Sequence, residues 1–366
     1  MQAVATQVLW AAFALSVLFG AIAQRTQFCT MGAVADIVNV GDWSRMRMWA
    51  LAIGVAMLGF NAMVAAGWID AGNSIYAAPR LTWLSALVGG LMFGFGMVLA
   101  SGCGSKSLVR IGGGSLKALV VIIVLGLAAF ATLRGITAVA RVASVDRVAL
   151  ELAGGQALPT LAASAFGVAR PRAALLLGTL LGGGLVAWAL ARAEGRSANV
   201  LLGGAGIGAV VAAMWWVSGR LGYVAEDPNT LQEAFVATNS QRMESMSFVA
   251  PVAYTLDWLL FFSDKNKLLT LGIASTAGVV VGSALWALAS RSFCWEGFAN
   301  AEDTGNHLAG ALLMGVGGVA ALGCTVGQGL SGVSTLAVGS FIALAAIIVG
   351  AVVALRYQVW RVERTT

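Results

Sequence analysis

Charge is scarce in this chain of 366 residues: Asp, Glu, Lys and Arg together make up 10% of it, while 59% is hydrophobic and the mean hydropathy is +0.87. No soluble protein of this length presents such a surface to water, so the chain reads as an integral membrane protein. There is a single histidine, His307, and the four cysteines, Cys29, Cys103, Cys294 and Cys324, form no CxxC pair and no zinc-type spacing. No metal site, structural disulfide or cofactor is expected, and the thiols are expected to stay reduced. His307, beside Asn306 in an acidic stretch, reads as solvated. Two nucleotide-like strings also fail. In Gly102–Ser107, Ser105 stands where a P-loop needs its second glycine, and Gly203–Gly208 lies inside an apolar run with no strand before it. The net charge of +6 is scattered beside hydrophobic segments, a topological pattern and not a nucleic-acid surface.

What is abundant is apolar sequence in runs of about 20 residues, the length that crosses the hydrocarbon of a bilayer. Such runs occupy 4–23, 46–68, 82–101, 116–133, 173–191, 200–217, 268–289, 308–324 and 334–355. The first has no basic n-region and is read as a retained helix, not a signal peptide. The 47 glycines predict close helix packing through small residues. The expected fold is an all-α membrane protein of about nine transmembrane helices, with re-entrant or short half-helices and an inverted pseudo-repeat. It forms one integral domain over 1–366: a first pseudo-repeat at 1–135, a central segment at 136–267, a second pseudo-repeat region at 268–355 and a basic tail at 356–366. Within the central segment, 134–172 reads as short amphipathic surface helices.

Topology follows from the loops. Arg25, Arg45, Arg47, Arg192, Arg196, Lys265, Lys267 and the tail residues Arg356, Arg361 and Arg364 are placed in the cytoplasm, and the acidic connections 218–247 and 295–307 outside. Counting every apolar run as a crossing does not reconcile these placements, so one segment enters and leaves on the same side. The candidates are the glycine breaks and the proline-bearing stretch 248–263.

One pattern occurs twice. Gly94, Gly96 and Gly102 precede Cys103 by nine, seven and one residues, and Gly315, Gly317 and Gly323 precede Cys324 in the same register. Each apolar run then breaks into small and polar residues, the signature of a discontinuous helix at a transport site. Cys103 and Cys324 are therefore expected to face one polar path, joined by Cys29 at the end of the first run. Gly102, Gly323 and Gln328 frame the breaks. Lys106 and Arg110 fall three and seven residues after Cys103, on its helix face, and Arg25 precedes Cys29; all three are possible supporting charges. A weaker echo matches Arg25…Cys29 to Arg291…Cys294, with the spacing off by one. Cys294, flanked by Trp295 and Glu296, is left out of the site as an interfacial residue.

The stretches 24–29, 102–114 and 323–332, together with 247–251, resemble the YeeE/YedE sulfur transport family, and the likeness runs through most of the chain. The resemblance implies a bacterial inner-membrane importer of thiosulfate or a related sulfur compound, multi-pass, with a cytoplasmic C-terminus. It also implies path cysteines at Cys29, Cys103 and Cys324 in a cysteine relay. Some relatives are linked to selenium, and relatives often work beside a small soluble sulfurtransferase of the TusA type, here a separate chain if present. Besides the sulfur anion and that sulfurtransferase, the partners expected are membrane lipids.

The chemistry agrees. Thiosulfate has a hard sulfonate end, suited to backbone N–H groups at helix N-termini, and a soft sulfur, suited to a neutral thiol. Bringing its two charges into a cell at about −100 mV costs on the order of 4.6 kcal/mol, and no nucleotide site supplies it. The expected class is a transporter, not an enzyme. The alternatives are a membrane thiol oxidoreductase exchanging electrons with a quinone, which would want a close dithiol, and a non-transporting scaffold for a sulfurtransferase.

Overall fold

The computed structural model describes residues 2–227, 231–264 and 266–365; Lys265, one of the lysines assigned to the cytoplasm, lies outside these. The chain folds into α1 (Gln2–Thr26), α2 (Thr30–Val40), α3 (Ser44–Ala65), α4 (Trp83–Leu99), α5 (Gly104–Gly112), α6 (Leu116–Arg134), α7 (Ile136–Ala143), α8 (Leu158–Phe166), α9 (Arg170–Leu190), α10 (Ala198–Trp216), α11 (Ala250–Leu260), α12 (Leu271–Ala289), α13 (Ala301–Ala320) and α14 (Val338–Thr365). A further short helix spans 325–334 and is wound as a π-helix over Gly327–Gly332. Two-residue strands form two small antiparallel pairs, one of which sets Arg80 opposite Glu151.

Among the described residues, eight helices, two of them continuing through a short break, are long and apolar enough to cross a membrane. The ninth run expected from sequence became α13, whose first turns carry Glu302, Asp303, Asn306 and His307 and are too polar to qualify by composition. It packs like a span nevertheless. It runs antiparallel along α4, with Gly89 set against Gly317 and Ala321 and Gly96 against Gly310 and Met314. Gly310 and Gly317 touch the α4 backbone in return, and Gly94 lies against the backbone of Ile347 and Ala351 in α14. Where apolar lipid removes the hydrophobic drive, such approaches supply the dispersion contacts that hold helices together.

α3 lies between α9 and α10, and α6 against α13 and α11. α1 and α12 run side by side in the same direction, with Gly278 against Phe13 and Gly20 against Ser283. Their C-terminal ends meet at one end of the bundle, here the Arg25 end. At the opposite, Trp68 end, Ala157 bridges Ala337, and Ser74 bridges Met243.

The segment 245–269 enters and leaves at the Trp68 end: Asn239 donates to Thr270 Oγ1 at 3.2 Å, and Leu271 N–H donates to the Ala237 carbonyl. The proline-bearing α11 is thus the non-crossing piece that the loop arithmetic demanded. α7 and α8 are short and largely exposed, as the 134–172 pattern predicts.

Two topological expectations fail. Lys267, grouped by sequence with Arg25, sits at the Trp68 end, where Asp257 of α11 neutralises it. The acidic connection 295–307 sits at the Arg25 end with the tail: Glu296 pairs with Lys117 at 2.5 Å and Glu302 with Arg361 at 2.6 Å. Acidic residues carry little topological weight, and here cations from neighbouring helices neutralise them.

Candidate functional site

Both glycine-cysteine breaks are the same backbone device. In the first, Ala100, Ser101 and Gly102 donate to the carbonyls of Gly96, Val98 and Met97; in the second, Ala321, Leu322 and Gly323 donate to those of Gly317, Val319 and Gly318. Ser101 (φ 55°) and Leu322 (φ 58°) take the left-handed conformation that closes each helix. A side-chain-bearing residue there costs roughly 1–2 kcal/mol, a strain held by the buried residues on either side, Ala100 and Gly102, and Ala321 and Gly323. Gly323, at φ 157°, takes backbone space that only glycine enters freely. The chain then restarts as a short helix with the cysteine at its N-cap, α5 after Cys103 and 325–334 after Cys324. α1 closes similarly at Gln27 (φ 53°), and Cys29 is the N-cap of α2.

All three path candidates therefore occupy the start of a short helix, where backbone N–H groups lack intrahelical partners and the helix dipole favours negative charge. Gly32 N–H donates to Cys29 Sγ and Gly327 N–H to Cys324 Sγ, each at 3.3 Å. The amides of Val326 and Phe248 are also directed at Cys324. Cys103 Sγ lies 3.2 Å from Ser105 Oγ. Cys103 is within electrostatic reach of both Cys29 and Cys324, and all three thiols are buried and unbonded. Cys294 is exposed at the Arg25 end, where its N–H donates to the Gly113 carbonyl. Counted from the left-handed residues Gln27 and Arg291, Cys29 corresponds to Phe293, which explains the one-residue mismatch of the weaker echo.

Cations gather at the Cys29–Cys103 side. Lys106 is buried and donates to Gln27 Oε1 at 2.7 Å, and its aliphatic stem and the Arg110 guanidinium cover Gly102. Arg45 lies over Gly32 and pairs with Asp36 at 3.2 Å. Among the described residues no carboxylate lies within ion-pair distance of Lys106 or Arg110. A buried ammonium bonded only to a neutral amide is an uncompensated charge, costly unless an anion visits it. Arg25 is not part of this group: it is exposed, with its guanidinium 5.2 Å from the Trp286 ring centroid.

The Cys324 side is polar but uncharged. Gln328 Nε2 donates to the Ala321 carbonyl, while Gln328 Oε1, Thr325 Oγ1 and Ser340 Oγ are buried without partners. Trp49 joins the two sides: Phe28 stacks on it at 5.6 Å, its ring edge touches Gly329, and its indole N–H is buried and unpaired. A vestibule of about 550 Å³ opens beyond them at the Trp68 end, bordered by Asn61, Thr335, Arg170 and Arg220. Sequence reasoning missed Gln27, Trp49, Asn61, Thr325 and Ser340. For Asn61, Thr325 and Ser340 the only signal was a polar atom in apolar or glycine-rich sequence, and Gln27, beside Arg25 and Thr26, and Trp49 had none.

His307 is buried, contrary to expectation. Its Nδ1 contacts the Asp303 carbonyl at 2.8 Å and carboxylate at 3.0 Å, and its ring packs on Phe298. An i,i+4 partner on the same helix turn and a neighbouring aromatic make that burial affordable.

The chain is similar to known proteins along most of its length. The chain is 27% identical over 338 residues to "Thiosulfate transporter TsuA" of Escherichia coli, covering 91% of this chain and 90% of that one. It is 25% identical over 361 residues to the protein of the same name from Spirochaeta thermophila, covering 93% and 96%. A shorter match, 32% over 87 residues, joins it to "Probable transporter YedE" of Salmonella typhimurium, covering 23% and 20%. The profile described as sulphur transport matches residues 25–353, and the chain belongs to that family.

Proposed function

We propose that this protein imports thiosulfate across a bacterial inner membrane, passing the anion from the Trp68 end to the Arg25 end by way of Cys324, Cys103 and Cys29. One observation carries the reading: three buried, unbonded thiols each begin a short helix inside the bundle, with Cys103 in electrostatic reach of the other two. Each such start offers backbone N–H groups to the sulfonate oxygens and a polarisable sulfur to the terminal sulfur of the substrate. Lys106 and Arg110 then supply the countercharge on the exit side. Gly102 and Gly323 keep the breaks open to the anion, and Gln328 orients it beside Cys324. Arg25, stacked on Trp286, serves topology.

The Arg25 end, with its short basic loops and the tail, is assigned to the cytoplasm. There a separate sulfurtransferase of the TusA type would take up the delivered sulfur. Cys294 tests the orientation. A membrane-impermeant maleimide should label it in inside-out vesicles and not in right-side-out ones, and the reverse pattern inverts the assignment.

The halves are read as an inverted pseudo-repeat that exchanges α3 with α12, α4 with α13 and α6 with α14. Its support is the antiparallel α4–α13 pair and the packing of α4 on α14 mirrored by α13 on α6. If α1 exchanges with α10, the α1–α12 contact mirrors α3–α10, and the second copy begins before residue 268.

Uptake of radiolabelled thiosulfate into proteoliposomes tests the function. Transport should fall about 100-fold in Cys103→Ala and persist in Cys294→Ala, with sulfate, which has no soft sulfur, failing to compete. Equal retention in both variants removes Cys103 from the mechanism.

A further inference from the structure

At the Arg25 end, the loop after α9 meets the start of α3 around a cleft of about 370 Å³ bordered by Trp43, Arg47, Trp188, Arg192 and Glu194. None of the path residues borders it. α9 has 21 residues, about 31 Å at the usual helical rise, so its last turn lies at the boundary of the hydrocarbon, the depth at which tryptophan gathers. It is also the candidate span least covered by protein, with 28% of its apolar stretch buried. Leu180, Leu181, Gly184 and Trp188 are exposed and share one face of the helix. A Cβ placed on Gly184 would meet nothing within 4 Å. That face is an apolar trough that ends at the cleft.

The polar groups of the cleft are preset. Arg47 Nη1 donates to the Trp188 carbonyl at 2.7 Å and lies 3.5 Å from that of Ala189, which caps the negative end of α9. The guanidinium lies 4.7 Å from the Trp188 ring centroid. This side chain is nine-tenths buried, and its Nε stands 3.7 Å from the Glu194 carboxylate, too far for a hydrogen bond. Nη2 makes no hydrogen bond among the described residues and is not enclosed. Arg192 is exposed and has no ion-pair partner among the described residues. Two guanidiniums and one carboxylate at headgroup depth complement a head group that carries both a phosphodiester and an ammonium. A purely anionic head group would set Glu194 against a like charge, and a choline would offer it no N–H.

We propose that this cleft binds one molecule of phosphatidylethanolamine. The phosphodiester sits between Arg47 Nη2 and Arg192, the ammonium between Glu194 and the Trp43 ring, and one acyl chain lies in the trough over Gly184. Bound there, the lipid ties the loop after α9 to the first turn of α3.

The test uses the purified full-length protein. In native mass spectrometry it should retain phosphatidylethanolamine in preference to phosphatidylglycerol and phosphatidylcholine of the same acyl chains. Arg192→Gln should weaken that retention about fivefold, and Glu194→Gln should abolish the preference over phosphatidylglycerol. Arg172→Gln, at the other end of the same helix, should leave both unchanged. Phosphatidylethanolamine with a diazirine in its acyl chain should crosslink to the peptide containing Gly183 and Gly184. Unfolding temperatures matching the wild type would show that the variants remain folded. Equal retention of the three lipids, a preference that neither Arg192→Gln nor Glu194→Gln alters, or crosslinks that avoid α9 overturn the proposal. Stronger retention of phosphatidylglycerol overturns it in favour of an anionic lipid. These readouts do not involve transport, so they stand or fall apart from the thiosulfate reading.

Discussion

The two breaks share a backbone but not a charge. Each closes a long helix with a left-handed residue and restarts it at a cysteine. After Cys103 the next left-handed residue is Gly114, eleven positions on; after Cys324 it is Leu336, twelve on. The added residue is absorbed in the π-wound stretch Gly327–Gly332, the usual way a helix takes an insertion and a frequent mark of a functional site. The first copy surrounds its thiol with Lys106 and Arg110, the second with unpaired neutral oxygens. Both following turns are pinned by a backbone bridge, Ser115 with Glu296 after α5 and Ala157 with Ala337 after 325–334, and the first adds the Lys117–Glu296 ion pair. On the proposed reading, one scaffold meets the anion with neutral oxygens at one break and with countercharge at the other.

The comparison is broken most severely at the shared cysteines. Cys103→Ala should cut thiosulfate uptake about 100-fold, the upper range for removing one contact to a charged group. Cys324→Ala should cost less, because Cys103 alone lies in reach of both other thiols. Equal losses would make the two breaks interchangeable. Deleting Gly329 should return the second half-helix to α geometry and reduce uptake on the order of tenfold or more through misplacement of Gln328; the unfolding temperature in detergent would show whether the fold survives.

A smaller effect separates the charged side from the neutral one. Lys106→Gln should raise the half-saturating thiosulfate concentration several-fold and flatten its dependence on ionic strength, while Thr325→Val at the other break should leave that dependence intact. The smallest concerns the pinned turn. Hydrogen bonding to Lys117 holds the Glu296 carboxyl below its ordinary 4.5. Its contribution to stability is therefore present above that value and lost as pH falls through the lower folded-state one. Thermal unfolding at pH 6 and near pH 4 should differ slightly more for the wild type than for Glu296→Gln, and an identical pH response would show that the pair contributes nothing.

Much of the site was legible because glycine and cysteine at a break leave a local mark. A helix cannot continue through Ser101–Cys103 or Leu322–Cys324 without showing it in sequence, and Lys106 stands out in apolar surroundings. Gln27 and Trp49 left no such mark: an amide near a helix end and an aromatic within a span are commonplace until a lysine from another helix reaches the one and Phe28 stacks on the other. The acidic loop misled for a related reason, since Lys117 and Arg361, which neutralise it, are remote in the chain.

By itself, then, the sequence determined the membrane class, the number and approximate ends of the apolar helices, and the two matched breaks, because hydropathy and backbone punctuation act over a few neighbouring residues. Only the tertiary structure decided which end of the bundle each loop joins, which charges go unpaired, and that three cysteines separated by 74 and 221 positions lie in one buried group. Those are properties of helix against helix, fixed where glycine lets backbones touch, and no local pattern encodes which helix will be the neighbour.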